Sequence, residues 1–192
     1  MEEELETVCP QSREEWRAWL QEHHATKRSV WLIYYKRGAQ RPSLPYTEAV
    51  DEALCFGWID SKAKPLDAER YMQFFSKRKA TSVWSRVNKE KVARLIDEGR
   101  MTEAGHASIA TARQNGSWTI LDEAEALTVP EDLDRAFAAR PEARAYFMGL
   151  SRSVKRNMLQ WLVLAKRAET RQKRIDEIVT LAAQGQKPKQ FR

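Results

Sequence analysis

The sequence predicts an α+β protein, a small N-terminal helix-strand-helix-strand-strand unit packed with a C-terminal multi-helix unit, and three features carry that expectation. Residues 29–36 (Ser-Val-Trp-Leu-Ile-Tyr-Tyr-Lys) are rich in branched and aromatic side chains and apolar on both faces, the pattern of a strand covered on both sides. Residues 58–64 and 70–77 read as extended segments joined through Pro65-Leu66-Asp67-Ala68-Glu69, a hairpin. Beyond residue 80 the strand signal fades and apolar residues recur at helical spacing.

Taken in order, residues 1–11 form an acidic leader, opening Met1-Glu2-Glu3-Glu4 and expected to be loosely ordered. Ser12 and Glu15 stand at the spacing of a capping box, and Trp16, Trp19 and Leu20 then share one face, which predicts a helix over 13–25. Residues 29–36 are the expected central strand. Residues 38–45 hold a glycine and two prolines and read as a loop. Thr47 is placed to cap a helix carrying Val50, Ala53 and Leu54, and Gly57 ends it, because glycine enters the left-handed region without steric cost. After the hairpin, Ser85 caps a helix holding Val87, Val92, Leu95 and Ile96 that stops at Gly99, and Thr102 opens another ending near Gly116. Pro130 and Pro141 suit a first helical turn, where a missing amide donor is harmless. Val154, Met158, Trp161, Leu162 and Ala165, then Ile175, Ile178, Val179 and Ala182, mark two amphipathic helices.

The 192 residues suffice for one domain or two small units, and their net charge of +6 is unevenly placed. Between Ser151 and Arg174 there are eight basic residues (Arg152, Lys155, Arg156, Lys166, Arg167, Arg171, Lys173, Arg174) and one acid, Glu169, so the rest of the chain is slightly acidic. A second excess lies between Lys62 and Lys79. Clustered positive charge concentrates anions, although a helix also carries bases simply as a solvated face.

The acidic start lacks the apolar core of a secretory signal, and the longest apolar run, Val30 to Tyr35, is far below the roughly 20 residues that span a bilayer. A cytoplasmic protein without a membrane span is expected. Cys9 and Cys55 cannot build a disulfide framework, and neither they nor His23, His24 and His106 follow a metal-ligand spacing, so no metal and no cofactor is assigned. No P-loop, G-x-G-x-x-G or G-x-S-x-G is present, and no residue is assigned as catalytic.

Three groups are candidates for ligand binding. In the first, Arg78 and Lys79 approach the start of the helix capped by Ser85, with Ser82 and Asn88 as neutral donors and Trp84 as a flat wall, a recipe for holding phosphate or carboxylate. The plainer reading is an N-cap beside a core tryptophan. In the second, Glu52 and Cys55 share a helical face, with Trp58 and Asp60 following. Carboxylates beside a thiol raise its pKa, which makes Cys55 an inert core residue, while Glu52 and Asp60 remain partners for a substrate hydroxyl or for Arg78. In the third, Arg171 and Arg174 lie one helical turn apart and can fork around one anion, next to Lys166, Glu169 and Thr170.

Several segments together resemble the bacterial YdeI/OmpD-associated, or bacteriocin-protection, family. They are Val30-Trp31-Leu32; Glu52-Ala53-Leu54-Cys55-Phe56-Gly57-Trp58-Ile59-Asp60-Ser61; Arg78 with Ser82-Val83-Trp84-Ser85 and Asn88; Gly99 with Met101; Ala165-Lys166; Glu169-Thr170-Arg171; and Arg174-Ile175. The resemblance runs from about Ser12 to Gly185, with one departure: Lys77 stands before Arg78 where family members often carry proline. It implies a role in tolerance of envelope stress or antimicrobial peptides without supplying a reaction. Domain boundaries follow as a leader to residue 11, an α+β unit over 12–80, connecting helices over 81–126, a helical OmpD-associated-like unit over 127–185 and a basic tail over 186–192.

The expected activity is binding of an anionic small molecule or an acidic partner surface. Arg78, Ser82, Ser85 and Asn88 would hold the anion, Trp84 and Trp58 would shape the pocket, and Arg171 and Arg174 would add positive field. The alternatives are non-specific nucleic-acid binding through residues 152–174, and an enzyme of unrecognised type using Glu52 or Asp60 as base.

Overall fold

In a computed structural model, residues 6–36, 38–39 and 41–192 are described; the Met1-Glu2-Glu3-Glu4 start of the leader lies outside the described residues. The chain separates into two units, one ending at Trp118 and the other beginning at Thr119. The first contains β1 (Thr7–Val8), α1 (Arg13–His23), β2 (Ser29–Tyr35), α2 (Tyr46–Cys55), β3 (Trp58–Pro65), β4 (Arg70–Lys77), α3 (Arg86–Asp97) and α4 (Glu103–Gln114). The second is helical: α5 (Asp122–Glu125), α6 (Glu131–Ala138), α7 (Pro141–Gly149), α8 (Arg152–Val163), α9 (Ala168–Ala183) and a closing turn of 3₁₀ helix, Lys189–Phe191. The architecture is α+β, as the sequence predicts.

The sheet has the order β1-β2-β4-β3. The expected hairpin is β3 against β4, antiparallel, with a register shift between Asp60 and Ala63. The expected central strand, β2, pairs antiparallel with β4 on one side. Its other side is filled by part of the leader expected to be loose: Thr7 and Val8 pair in parallel with Trp31 and Leu32, and the Trp31 amide donates to the Glu6 carbonyl at 2.9 Å. An open strand edge presents unpaired donors and acceptors, and these leader residues satisfy part of it, Thr7 and Val8 both being β-branched and suited to a strand.

The two faces of β2 are covered differently. Val30, Leu32 and Tyr34 join Phe75 of β4 in the core with Trp16 and Leu20 of α1 and Val50 and Leu54 of α2. On the opposite face Trp31 packs edge-on to Phe74 at 5.1 Å, and the Lys64 ammonium lies 4.6 Å from its ring centre. Lysine stems lie over apolar surface while their heads stay wet. Both faces are thus apolar, one against helices and the other with aromatic and lysine side chains over it.

Ser12 caps α1 by accepting from the Glu15 amide at 3.2 Å, but the Glu15 carboxylate reaches one residue further back than a standard capping box, to the Gln11 amide at 2.8 Å. Helix α2 begins at Tyr46, after Pro45, and Thr47 lies inside it rather than capping it. Proline holds the extended φ that an N-cap needs, which fixes the start without a side-chain acceptor. Gly57, at φ +71°, turns the chain out of α2 as expected. Ser85 and Thr102 cap α3 and α4. Pro141 occupies the first turn of α7, whereas Pro130 stands one position earlier, as the N-cap of α6. Ala165 falls beyond the end of α8. The second core gathers Leu133, Phe137, Phe147, Met158, Leu162, Ile175 and Ile178.

The end of α2 and the start of α4 are in backbone contact. The Cys55 carbonyl accepts from both the amide and the hydroxyl of Thr102, at 3.2 and 2.6 Å. A Cβ on Gly105 would stand 2.3 Å from that carbonyl oxygen, so the crossing is closer than any side chain permits. Gly105→Ala is expected to lower unfolding free energy by about 3 kcal/mol, because the obstacle is backbone that cannot give way. Urea titration of both proteins measures it.

Candidate functional site

Helix α2 carries adjacent carboxylates, Asp51 and Glu52, both buried. Asp51 pairs toward α3, accepting from Lys91 at 2.5 Å and from Arg94. Glu52 accepts from Arg13 and Arg17 of α1, each at 2.6 Å, and from Arg100 at 2.5 Å. Burial by itself would raise the Glu52 pKa; hydrogen bonds from Arg100, Arg17 and Arg13 outweigh it and hold the carboxyl below its ordinary value. A carboxylate bound by three guanidiniums has a structural role before any other.

Cys55, one turn on, is fully buried, and burial together with the Glu52 charge pushes its thiol up to about 11. Asp60, which the sequence groups with Glu52, has different partners. It accepts from the Tyr46 hydroxyl at 2.7 Å and from the Gln73 amide at 3.0 Å. Burial, and then the bond to Asp60, push the Tyr46 hydroxyl above its ordinary value. Trp58 is wholly buried, its indole N–H donating to the His24 carbonyl at 3.3 Å, so it belongs to the core and not to a pocket wall.

Arg78 follows the last residue of β4. Its amide donates to the Gly57 carbonyl at 2.9 Å, which fixes it beside the turn that leaves α2. The guanidinium lies 3.7 Å over the Trp84 ring, and Nη2 donates to the Val83 carbonyl at 2.7 Å. Nε and Nη1 are shielded from solvent and have no hydrogen-bond partner. Burial lowers the Arg78 pKa to about 10, with the more distant Asp60 charge opposing, so the group stays cationic at neutral pH. A desolvated guanidinium without a carboxylate is costly, and stacking on an indole recovers only about 2 kcal/mol or less.

A cleft of about 310 Å³ opens beside it. Lys77, Arg78 and Lys79 form its basic side, Phe56 and Gly57 continue the lining, and α4 supplies the opposite wall with Ala104, Ala107, Ser108 and Thr111. Gly57 is needed here for space as well as for its positive φ: a Cβ would meet the Ala104 carbonyl oxygen at 3.0 Å.

Of the first predicted group, Arg78 and Lys79 line this cleft, and Ser82, Trp84, Ser85 and Asn88 do not. Ser82 accepts from the Lys79 amide at 3.1 Å and closes a turn, while Ser85 accepts from the Asn88 amide at 3.3 Å as the cap of α3. Trp84 is buried beneath Arg78 and against Trp118. The α4 wall was not anticipated from sequence. Its available signal was the small-residue face Ala104, Ala107 and Ser108 opposite the Lys77-Arg78-Lys79 run.

In the second unit the basic segment is largely engaged internally. Arg171 grips Asp132 with two nitrogens, at 2.5 and 2.9 Å, and donates a third bond to the Leu162 carbonyl at 3.1 Å. Arg174 donates to the Trp161 carbonyl and lies over that residue's ring. The two arginines therefore satisfy the last carbonyls of α8, where the helix dipole favours positive charge, and each has its own acceptors. Arg152 and Lys155 donate to the Glu125 and Met148 carbonyls, leaving Lys166, Arg167 and Lys173 exposed.

Among the described residues no cluster of three or more His, Cys, Asp or Glu side chains is arranged to hold a metal ion, and no helix is long and apolar enough to cross a membrane. Residues 8–108 match the family model described as a domain of unknown function (DUF8412), and residues 126–185 match the one described as Bacteriocin-protection, YdeI or OmpD-Associated. No curated protein and no solved structure matches the chain.

Two outcomes test the packing of α2. Glu52→Gln should destabilise the fold by about 3 kcal/mol, because three partly buried guanidiniums lose their shared acceptor. Since the Glu52 pKa is depressed on folding, its contribution is complete above the ordinary carboxyl value of 4.5 and disappears as pH falls through the folded value. Stability curves from pH 7 to 2 should therefore fall less steeply for the variant. Separately, iodoacetamide at pH 7.5 should modify Cys9, which is exposed, and leave Cys55 intact until the protein unfolds, as peptide mass mapping would show.

Proposed function

We propose, from the premise that this chain belongs to the DUF8412 family and carries a C-terminal unit of the bacteriocin-protection, YdeI or OmpD-associated family, that it is a binding protein whose cleft beside Arg78 receives an anionic group. The observation that carries this reading is the state of Arg78, a half-buried cation with two shielded nitrogens unpartnered and no carboxylate bound to it among the described residues, at the edge of an open cleft. Lys77 and Lys79 flank it and make no ion pair among the described residues, so an arriving carboxylate or phosphate meets three positive charges. The volume is at the lower end of the range for small-molecule sites, which favours a compact head group. Binding of such a ligand in tolerance of antimicrobial peptides or envelope stress is the physiological role we assign.

Isothermal titration at low ionic strength with inorganic phosphate and with acetate tests the site. Wild-type protein should bind both. Lys79→Ala should weaken binding about tenfold and Arg78→Ala about a hundredfold, on the scale of a charged hydrogen bond lost. Lys166→Ala, in the other unit, should change nothing. Undiminished binding by a folded Arg78→Ala protein would falsify the assignment.

A further inference from the structure

The cleft beside Arg78 does not end at Phe56. A second hollow of about 430 Å³ meets it along Phe56, Ala104 and Ala107, and past these shared residues it is bounded by Gln21, His24, Thr102 and Glu103. The two adjoin as a groove along α4, whose lining residues run from Thr111 in the first hollow to Glu103 in the second. Eight residues of helix at about 1.5 Å each span about 12 Å. An extended polypeptide covers that distance in three to four residues, at about 3.3–3.6 Å each.

The charge along the groove is ordered. Lys77, Arg78 and Lys79 line the first hollow, small and apolar surface is shared by the two, and the second hollow carries one carboxylate, Glu103, with His24 also in its lining. Glu103 is exposed and makes no ion pair among the described residues. A ligand complementary to this layout carries an anion at one terminus and a cation at the other, with small groups between, its length bounded by the ~12 Å that the lining spans along α4.

We infer that the groove binds a short peptide with both termini free, three or four residues long, its C-terminal carboxylate on Arg78 and its terminal ammonium at Glu103. Small side chains suit the central positions, where Ala104 and Ala107 meet Phe56. This inference rests on the anion site proposed above and adds to it a length, a direction and a second charge.

Titration calorimetry with tri-alanine, its C-terminal amide, its N-acetyl derivative, acetate and octanoate tests it. Tri-alanine should bind at least tenfold more tightly than acetate. Amidation should cost tenfold or more in the wild type and little in Arg78→Ala. Acetylation should cost about fivefold in the wild type and nothing in Glu103→Gln, a surface change that leaves the fold intact. Binding of acetate and phosphate at Arg78 with tri-alanine no tighter than acetate would remove the peptide inference while leaving the anion site standing. Tighter binding of octanoate than of tri-alanine, or indifference to both end modifications, would also overturn it. Loss of all binding, acetate included, would remove both readings together.

Discussion

The burial of Glu52 is the constraint on which the N-terminal unit depends. A carboxylate with no exposed side-chain surface, in a helix whose other inward positions apart from Asp51 are apolar, is tolerable only if cations reach it. Arg13 and Arg17 come from α1, and Arg100 comes from the link between α3 and α4; Arg17 also donates to the Arg100 carbonyl at 3.0 Å. Asp51, its neighbour in sequence, reaches α3 in the same way. Adjacent residues point about 100° apart on a helix, so the pair holds α2 between two flanks at once. An apolar pair of similar size would fill the space equally well but would not select those flanking helices, and selection is what buried ion pairs supply.

From α2 the placement of the cleft follows by short steps. Its last carbonyls and Gly57 set the turn into β3, the Gly57 carbonyl takes the amide of Arg78, and the Cys55 carbonyl takes the start of α4. Arg78 and the α4 wall are therefore located by the same few residues of backbone. Gly57 and Gly105 allow the close approach, one through its left-handed φ and nearness to Ala104, the other through the 2.3 Å that a Cβ would leave to the Cys55 carbonyl oxygen.

The arginines of this protein differ in what surrounds them, and the difference separates structural from available charge. Arg13 and Arg100 each leave one nitrogen unpartnered, yet both hold Glu52. Arg171 and Arg174 close the end of α8. Arg78 has one carbonyl and the face of Trp84. The serines near it are engaged in local turns, as serines preceding a helix generally are, because their oxygens satisfy amides that would otherwise lack an acceptor.

Patterns confined to neighbouring residues were legible in the amino-acid sequence. The aromatic and branched run of β2, the hairpin around residues 65–69, the caps Ser12, Ser85 and Thr102 and the stops at Gly57 and Gly99 all express preferences that act over one turn or one strand. So did the unreactive environment of Cys55, since Glu52 lies one helical turn away. What only tertiary structure decided involves partners far apart in the chain: Glu6 and Val8 completing the sheet, Arg13 and Arg100 converging on Glu52, Asp132 occupying Arg171, and α4 closing the cleft opposite Arg78. Residue type announces that a charge needs a partner, but the partner's identity depends on which elements meet in space, and that is settled by burial and close packing over the whole unit.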